Sequence, residues 1–188
     1  RSTWNQQKEN FNCIDDCGIS KSDRIMQFVP KRGDNALEIA AAPGELIKRL
    51  LDRNFNVWGI EPARNYVELL GQENKDATII QGYFPEATKH CSNDVFDCIV
   101  ASDLMEHIED YEGFYKEVFR LLKPNGTAVI MSPIILEDGL LRKRDMEAPE
   151  QHAWIFTEKF LSEYLNPMFS EVRFSRWICG HEILILTK

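Results

Sequence analysis

The sequence predicts an α/β protein built on a mostly parallel sheet, and three observations carry that prediction. Short apolar runs alternate with amphipathic stretches from Ala36 onward. The stretches between runs have helical period, so each run–stretch–run unit reads as a right-handed βαβ crossover. Two final apolar runs flank Cys179-Gly180 with the spacing of a terminal hairpin.

Each element follows in order. Ala36-Leu37-Glu38-Ile39 is the first strand. Over 44–54, Leu46, Ile47, Leu50 and Leu51 share one helical face, with Lys48, Arg49 and Asp52 opposite. Val57-Trp58-Gly59-Ile60-Glu61 is the second strand, and Pro62 suits the first turn of a helix reaching about Asn74. Residues 78–82 and 96–102 form the third and fourth strands. Asp110 can cap the next helix, in which Phe114, Val118, Leu121 and Leu122 share a face. Pro124-Asn125-Gly126 should stop that helix and turn the chain into a fifth strand over 127–132. Thr157 can cap a helix carrying Phe160, Leu161, Tyr164 and Leu165, which ends near Pro167. Residues 171–177 and 181–187 make the hairpin. The expected organisation is an N-terminal segment, 1–33, forming a partly helical cap, and a single domain over 34–188. Within it 134–153 reads as a lid-like insertion carrying Arg142-Lys143-Arg144.

Composition narrows the classes. The chain has 188 residues, enough for one domain, with 44% apolar and 28% charged residues, which excludes a wholly disordered chain. No apolar run approaches the ~18 residues of a membrane span, and the polar start lacks the apolar core of a signal peptide. The first residue is Arg1, which reads as a boundary rather than a translation start. Lys and Arg number 22 against 30 Asp and Glu, a net charge of −8 that argues against nucleic acid as a partner. The five cysteines, Cys13, Cys17, Cys91, Cys98 and Cys179, form no disulfide or zinc framework and fit reduced thiols. The expected compartment is the cytoplasm. Oligomeric state leaves no mark in the sequence.

In a parallel sheet, ligands sit at the carboxyl ends of the strands near the switch in strand order. There the first strand runs into Ala40-Ala41-Ala42-Pro43-Gly44, small residues that let backbone bend sharply and lie close to a ligand, with free helix N–H groups behind. Glu61 ends the second strand, placed to accept hydrogen bonds from ribose hydroxyls. Together they describe a nucleoside-binding crevice.

The segment 37–44 resembles the first motif of class I S-adenosylmethionine-dependent methyltransferases, an acid followed by Gly-x-Gly-x-Gly. Gly59-Ile60-Glu61-Pro62 is similar to their second motif, and Gln81-Gly82-Tyr83-Phe84-Pro85 lies where they commonly carry Gly-Asp. Residues 96–107 and Leu121-Leu122-Lys123-Pro124-Asn125-Gly126 resemble the family's fourth-strand block and the turn before its fifth strand. The resemblance covers about 34–188. It implies a Rossmann-like, doubly wound, mostly parallel seven-stranded sheet with an antiparallel C-terminal strand. It further implies S-adenosyl-L-methionine as donor, S-adenosyl-L-homocysteine as product and a small-molecule methyl acceptor. Glu38 would orient the loop and the donor's amino end, and the backbone of Ala40, Ala41, Ala42 and Gly44 would border its methionine part. Glu61, beside Pro62, would hold the ribose. Tyr83 and Phe84, after Gly82, would flank adenine, and Ala101 and Ser102 would line the floor.

Two departures open alternatives. Ala40 and Ala42 replace glycines, and a Cβ there narrows the approach of the donor and is strained at positive φ. Tyr83 replaces an acid that would accept from the adenine amino group. A methyltransferase fold that only binds, without chemistry, is therefore the rival reading. Transfer from a sulfonium needs alignment, and a base only where the acceptor must lose a proton. His107, His152 and Asp103 are the candidates on the acceptor side, with His107 suited to proton transfer near neutrality. Glu106 reads as structural, and His90 and His181 as surface or strand residues. The residues assign no metal ligands outright. The pattern Asp103-x-x-Glu106-His107 with His152-x-Trp154-x-Phe156-Thr157 also resembles metal-dependent small-RNA 2′-O-methyltransferases, in which two acids and two histidines hold a divalent ion. A nicotinamide-dependent dehydrogenase fits poorly, because Glu-x-Ala-x-Ala-x-Gly is not its spacing.

Overall fold

The computed structural model describes residues 5–6, 18–135, 152–176 and 181–188. Its central sheet has seven strands in the order β3-β2-β1-β4-β5-β9-β8. These are β1 (Asn35–Ile39), β2 (Asn56–Glu61), β3 (Thr78–Gln81), β4 (Phe96–Ser102), β5 (Leu122–Ser132), β8 (Glu171–Arg176) and β9 (Glu182–Thr187). Strands β1 to β5 are mutually parallel, and β9 runs antiparallel to both β5 and β8. The remaining two strands, β6 (Ile134–Ile135) and β7 (Phe156–Thr157), form a separate parallel pair. That pair joins the two described ends of the segment expected to be a lid; residues 136–151 of it lie outside the described residues, as do Cys13, Cys17 and Cys179.

Alternation along the strands builds two cores, because successive side chains leave a strand on opposite faces. On one face Leu37, Ile39, Ile99, Ala128, Ile130 and Leu184 pack against Phe114, Val118 and Leu121 of α4 (Tyr111–Leu121) and Leu161 and Leu165 of α5 (Glu158–Leu165). On the other, Ala36, Val57, Cys98, Val100, Val129 and Ile183 meet Leu46, Ile47 and Leu50 of α2 (Glu45–Asp52). Leu70 of α3 (Arg64–Glu73) and Ile25 and Met26 of α1 (Lys21–Met26) complete that side. Burial on both faces explains why β1 and β4 read as nearly unbroken apolar runs.

The caps sit where the sequence placed them. Asp110 accepts from the Gly113 amide at 2.9 Å, and Thr157 from the Phe160 amide at 3.1 Å. Two expectations are corrected. Pro62 precedes α3 by one intervening residue instead of opening it, because the Glu61 carboxylate accepts from the Ala63 amide at 2.9 Å and holds Ala63 extended. Pro124-Asn125-Gly126 does not separate helix from strand, since pairing already begins at Leu122 opposite Phe96. The three residues instead form a bulge before Thr127 meets Cys98, with Asn125 at φ 64°. Gly126 is required there, because a Cβ would come 2.8 Å from the Lys123 carbonyl oxygen and 3.0 Å from that of Phe96. Among the described residues no helix is long and apolar enough to cross a membrane.

Candidate active site

The strand order reverses between β1 and β4, the place beyond the strands' carboxyl ends where open α/β sheets bind their ligands. Glu38 points to the α2 side of β1 and is buried. Burial pushes its carboxyl well up, the Ile47 amide pulls it back, and the charges of Glu61 and Glu45 push it further up. Its Oε2 is buried with no hydrogen-bond partner among the described residues. A carboxylate oxygen so placed lacks the cationic donor that would offset its desolvation.

After β1 the chain bends through Ala40 at φ 58°, a left-handed conformation that is strained for alanine. The Ala41 amide donates to the Ile60 carbonyl at 3.0 Å, and the Gly44 amide to the Ala41 carbonyl at 2.7 Å. Gly44, at φ 90°, starts α2, and a Cβ there would lie 2.8 Å from Leu70 Cδ2. Glu61 ties this bend to β2. Its Oε2 accepts from the Ala42 amide at 3.3 Å and its Oε1 from Ala63. Burial raises its carboxyl, and those two amides oppose the rise. Each oxygen keeps a second lone pair for a hydroxyl donor. The sequence-derived crevice residues Glu38, Ala40, Ala41, Ala42, Gly44 and Glu61 are thus brought together.

The others line its edges unequally. The Gly82 amide donates to the Glu61 carbonyl at 3.2 Å, and beyond it Tyr83 is 73% exposed. Phe84 instead turns inward, edge-to-face on Phe114 at 5.3 Å. Ala101 is fully buried beside Ile39, and the Ser102 hydroxyl lies 3.5 Å from Asp103 Oδ2.

Past β4 an ionisable cluster forms the opposite wall. Asp103, at φ 51°, donates its amide to the Met131 carbonyl at 2.9 Å. Its carboxylate is paired with Lys21 of α1, and His181 Nε2 lies 2.9 Å from Oδ1. Burial would raise the Asp103 carboxyl, but His181 and Lys21 outweigh it and hold the group far below the usual range. Glu106, in a short 3₁₀ turn (Met105–His107), is buried, and its Oε2 accepts from the Ser132 hydroxyl at 2.8 Å. Burial raises its carboxyl, its own amide opposes the rise, and the Asp103 charge adds to it. The Glu106 carbonyl accepts from the amides of Ala153 and Trp154 at 2.8 and 3.2 Å. These bonds bring His152 beside His107, with ring centroids 5.2 Å apart. His152 Nδ1 is buried without a hydrogen-bond partner among the described residues.

Ligand-type atoms of Glu106, His107 and His152 lie within 4.8 Å of one another, as do those of Asp103, Glu106 and His181. Chemically the first group can take up a proton from an acceptor or offer two imidazoles and a carboxylate to a divalent ion. His181, expected as a surface or strand residue, is buried at the head of β9, and Lys21 joins it from α1. No local spacing marks either residue, because both reach Asp103 only through tertiary folding. His90 is exposed, as expected. Cys98 is a buried free thiol pushed up to about 12 by burial, and Cys91 is also free.

Comparison with known proteins agrees with this architecture. A family model described as a methyltransferase domain matches residues 18–166. The sterol 24-C-methyltransferase erg6 of Aspergillus fumigatus is 34% identical over 104 residues, covering 51% of this chain and 27% of that protein. The ubiquinone biosynthesis O-methyltransferase of Rickettsia canadensis is 24% identical over 95 residues, covering 50% of this chain and 40% of that one. The chain thus spans well under half the length of these curated relatives. A SAM-dependent methyltransferase from Archaeoglobus fulgidus superposes with a TM-score of 0.71 at 13% identity, over 88% of this chain and 90% of that one. With a methyltransferase-domain model covering most of its length and the Rossmann-like sheet order on which such domains are built, the chain belongs to the methyltransferase-domain family.

Proposed function

We propose that this crevice binds S-adenosylmethionine and passes its methyl group to a small-molecule acceptor entering beside His107 and His152. The observation that carries the reading is the unpartnered, buried Glu38 oxygen beside the Ala40–Gly44 bend. It suits the donor's ammonium group, while Glu61 has lone pairs free for the ribose hydroxyls. The bend's amides border the methionine part, Ala101 and Ser102 form the floor, and Tyr83 supplies an exposed ring for adenine. The donor brings an activated methyl group. The protein aligns it, excludes water, and gives His107 or His152 the acceptor's proton where one must leave. The named activities of the relatives differ in acceptor atom, carbon for the sterol enzyme and oxygen for the ubiquinone one, so neither substrate is carried over.

The rival is a binding module without chemistry, favoured by the strained Ala40 and by Tyr83 in place of an acid. Calorimetry with S-adenosylhomocysteine separates the two. Micromolar binding supports the enzyme reading, whereas absent or millimolar binding favours the rival.

A further inference from the structure

The wall of the crevice contains a charge arrangement that neither the motifs nor the donor contacts explain. Asp103 stands one residue beyond the crevice floor, in a left-handed conformation unusual for a non-glycine residue. Two elements distant in sequence converge on its carboxylate. Lys21 comes from α1 with its side chain 11% exposed, and His181 from the head of β9 at 8%. Lys21 is not a loose surface cation. The Ser20 hydroxyl caps α1, Ile25 and Met26 are buried beneath it, and Arg53 holds the Met26 and Val29 carbonyls at 2.7 and 2.8 Å. Arg49 of α2 pairs with Asp23 of α1 at 2.5 Å. The helix therefore delivers its ammonium group to Asp103 as a fixed part of the fold.

The charge course of methyl transfer gives this pairing a purpose. The acceptor's lone pair forms a bond to the methyl carbon, and the carbon–sulfur pair returns to sulfur. The positive charge leaves sulfur, which becomes a neutral thioether, and appears on the acceptor, where loss of a proton discharges it. A bare carboxylate near the sulfonium would stabilise the starting complex more than the transition state and so slow the step. We infer that Lys21 is a positioning residue for methyl transfer: by neutralising Asp103 at the junction of donor and acceptor sites, it keeps that carboxylate from holding the sulfonium in its ground state. The inference rests on the donor reading above and adds to it a residue outside every motif.

The test compares a charged and an uncharged ligand of the same shape. Calorimetric affinities are measured for S-adenosylmethionine, which carries the sulfonium, and for S-adenosylhomocysteine, which lacks it. Lys21→Met removes the permanent cation and leaves Asp103 with the His181 imidazole alone, so it should raise the ratio of methionine-form to homocysteine-form affinity by about fivefold or more, the effect of a partly compensated charge at short range. Lys21→Arg should restore the ratio, as should adding Asp103→Asn to Lys21→Met. Asp103→Asn alone leaves Lys21 unbalanced and should lower the ratio, which keeps the test decisive where Lys21→Met does not fold. A ratio equal to wild type in Lys21→Met and in Asp103→Asn, even with both affinities weakened together, gives Lys21 a purely structural role and overturns the inference. Wild-type protein that binds neither ligand overturns the donor reading itself.

Discussion

At Glu38 stability and function pull in opposite directions. The carboxyl is fully enclosed, its pKa raised by burial, and one oxygen has no partner. Replacing this ionisable carboxyl with Glu38→Gln should therefore stabilise the donor-free protein at neutral pH, where folding must otherwise bury a charge or take up a proton. A chain of this size gains about 2–4 °C in melting temperature per kcal/mol. The same change should weaken S-adenosylhomocysteine binding by about 10- to 100-fold, the worth of one hydrogen bond to a charged group. Thermal melts and calorimetry on one preparation check both halves; a variant with lower stability and unchanged affinity would contradict the assignment. The sequence marked Glu38 and Glu61 because one stands a residue before the end of its strand and the other at the end of the next, on either side of a small-residue bend. It also flagged Ala40, and the left-handed φ of 58° is the strain that an alanine at that place implies. It gave no sign of Lys21 or His181, whose roles arise only when α1 and β9 are folded against β4.

Among the elements, the 3₁₀ turn carrying Glu106 and His107 is held from three directions. The Ala153 and Trp154 amides bond its carbonyl, the Ser132 hydroxyl at the end of β5 bonds its carboxylate, and Trp154 Nε1 reaches the Glu109 carbonyl at 3.1 Å. Ser132→Ala removes a donor from a buried carboxyl and should destabilise the fold by about 1–3 kcal/mol, the cost of leaving a buried acceptor unpaired. Donor affinity should stay within about twofold, because Ser132 ends β5, which β4 separates from the strand that leads into the Ala40–Gly44 bend; denaturant titration and calorimetry measure the two effects. At this scale most of the architecture was readable, since helical and strand periods differ and caps such as Asp110 and Thr157 act locally. The failures were long-range. The β6–β7 pair depends on contacts across the 136–151 stretch, and Pro124-Asn125-Gly126 carries turn chemistry whether it ends a strand or bulges within one.

Across the molecule, two sets of carboxyls oppose each other. Glu38, Glu61 and Glu106 are raised, chiefly by burial. Folded protein binds protons at these sites that the unfolded chain releases, so their effect on stability worsens as pH rises from the ordinary carboxylate range through their folded values. Asp103, Asp97 and Glu117 are lowered by their partners despite burial, so their contribution holds above the ordinary range and is lost as pH falls through their folded values. Donor-free protein should thus be more stable in mildly acid than in neutral solution. Donor product reverses the trend at one site: its ammonium group favours ionised Glu38, so binding releases a proton and strengthens as pH rises. The thermal shift given by saturating S-adenosylhomocysteine should grow between about pH 5 and pH 8, and Glu38→Gln should flatten that growth. A shift that shrinks with pH in the native chain would mean that Glu38 binds the ligand protonated, and the ammonium group would then have to be held elsewhere.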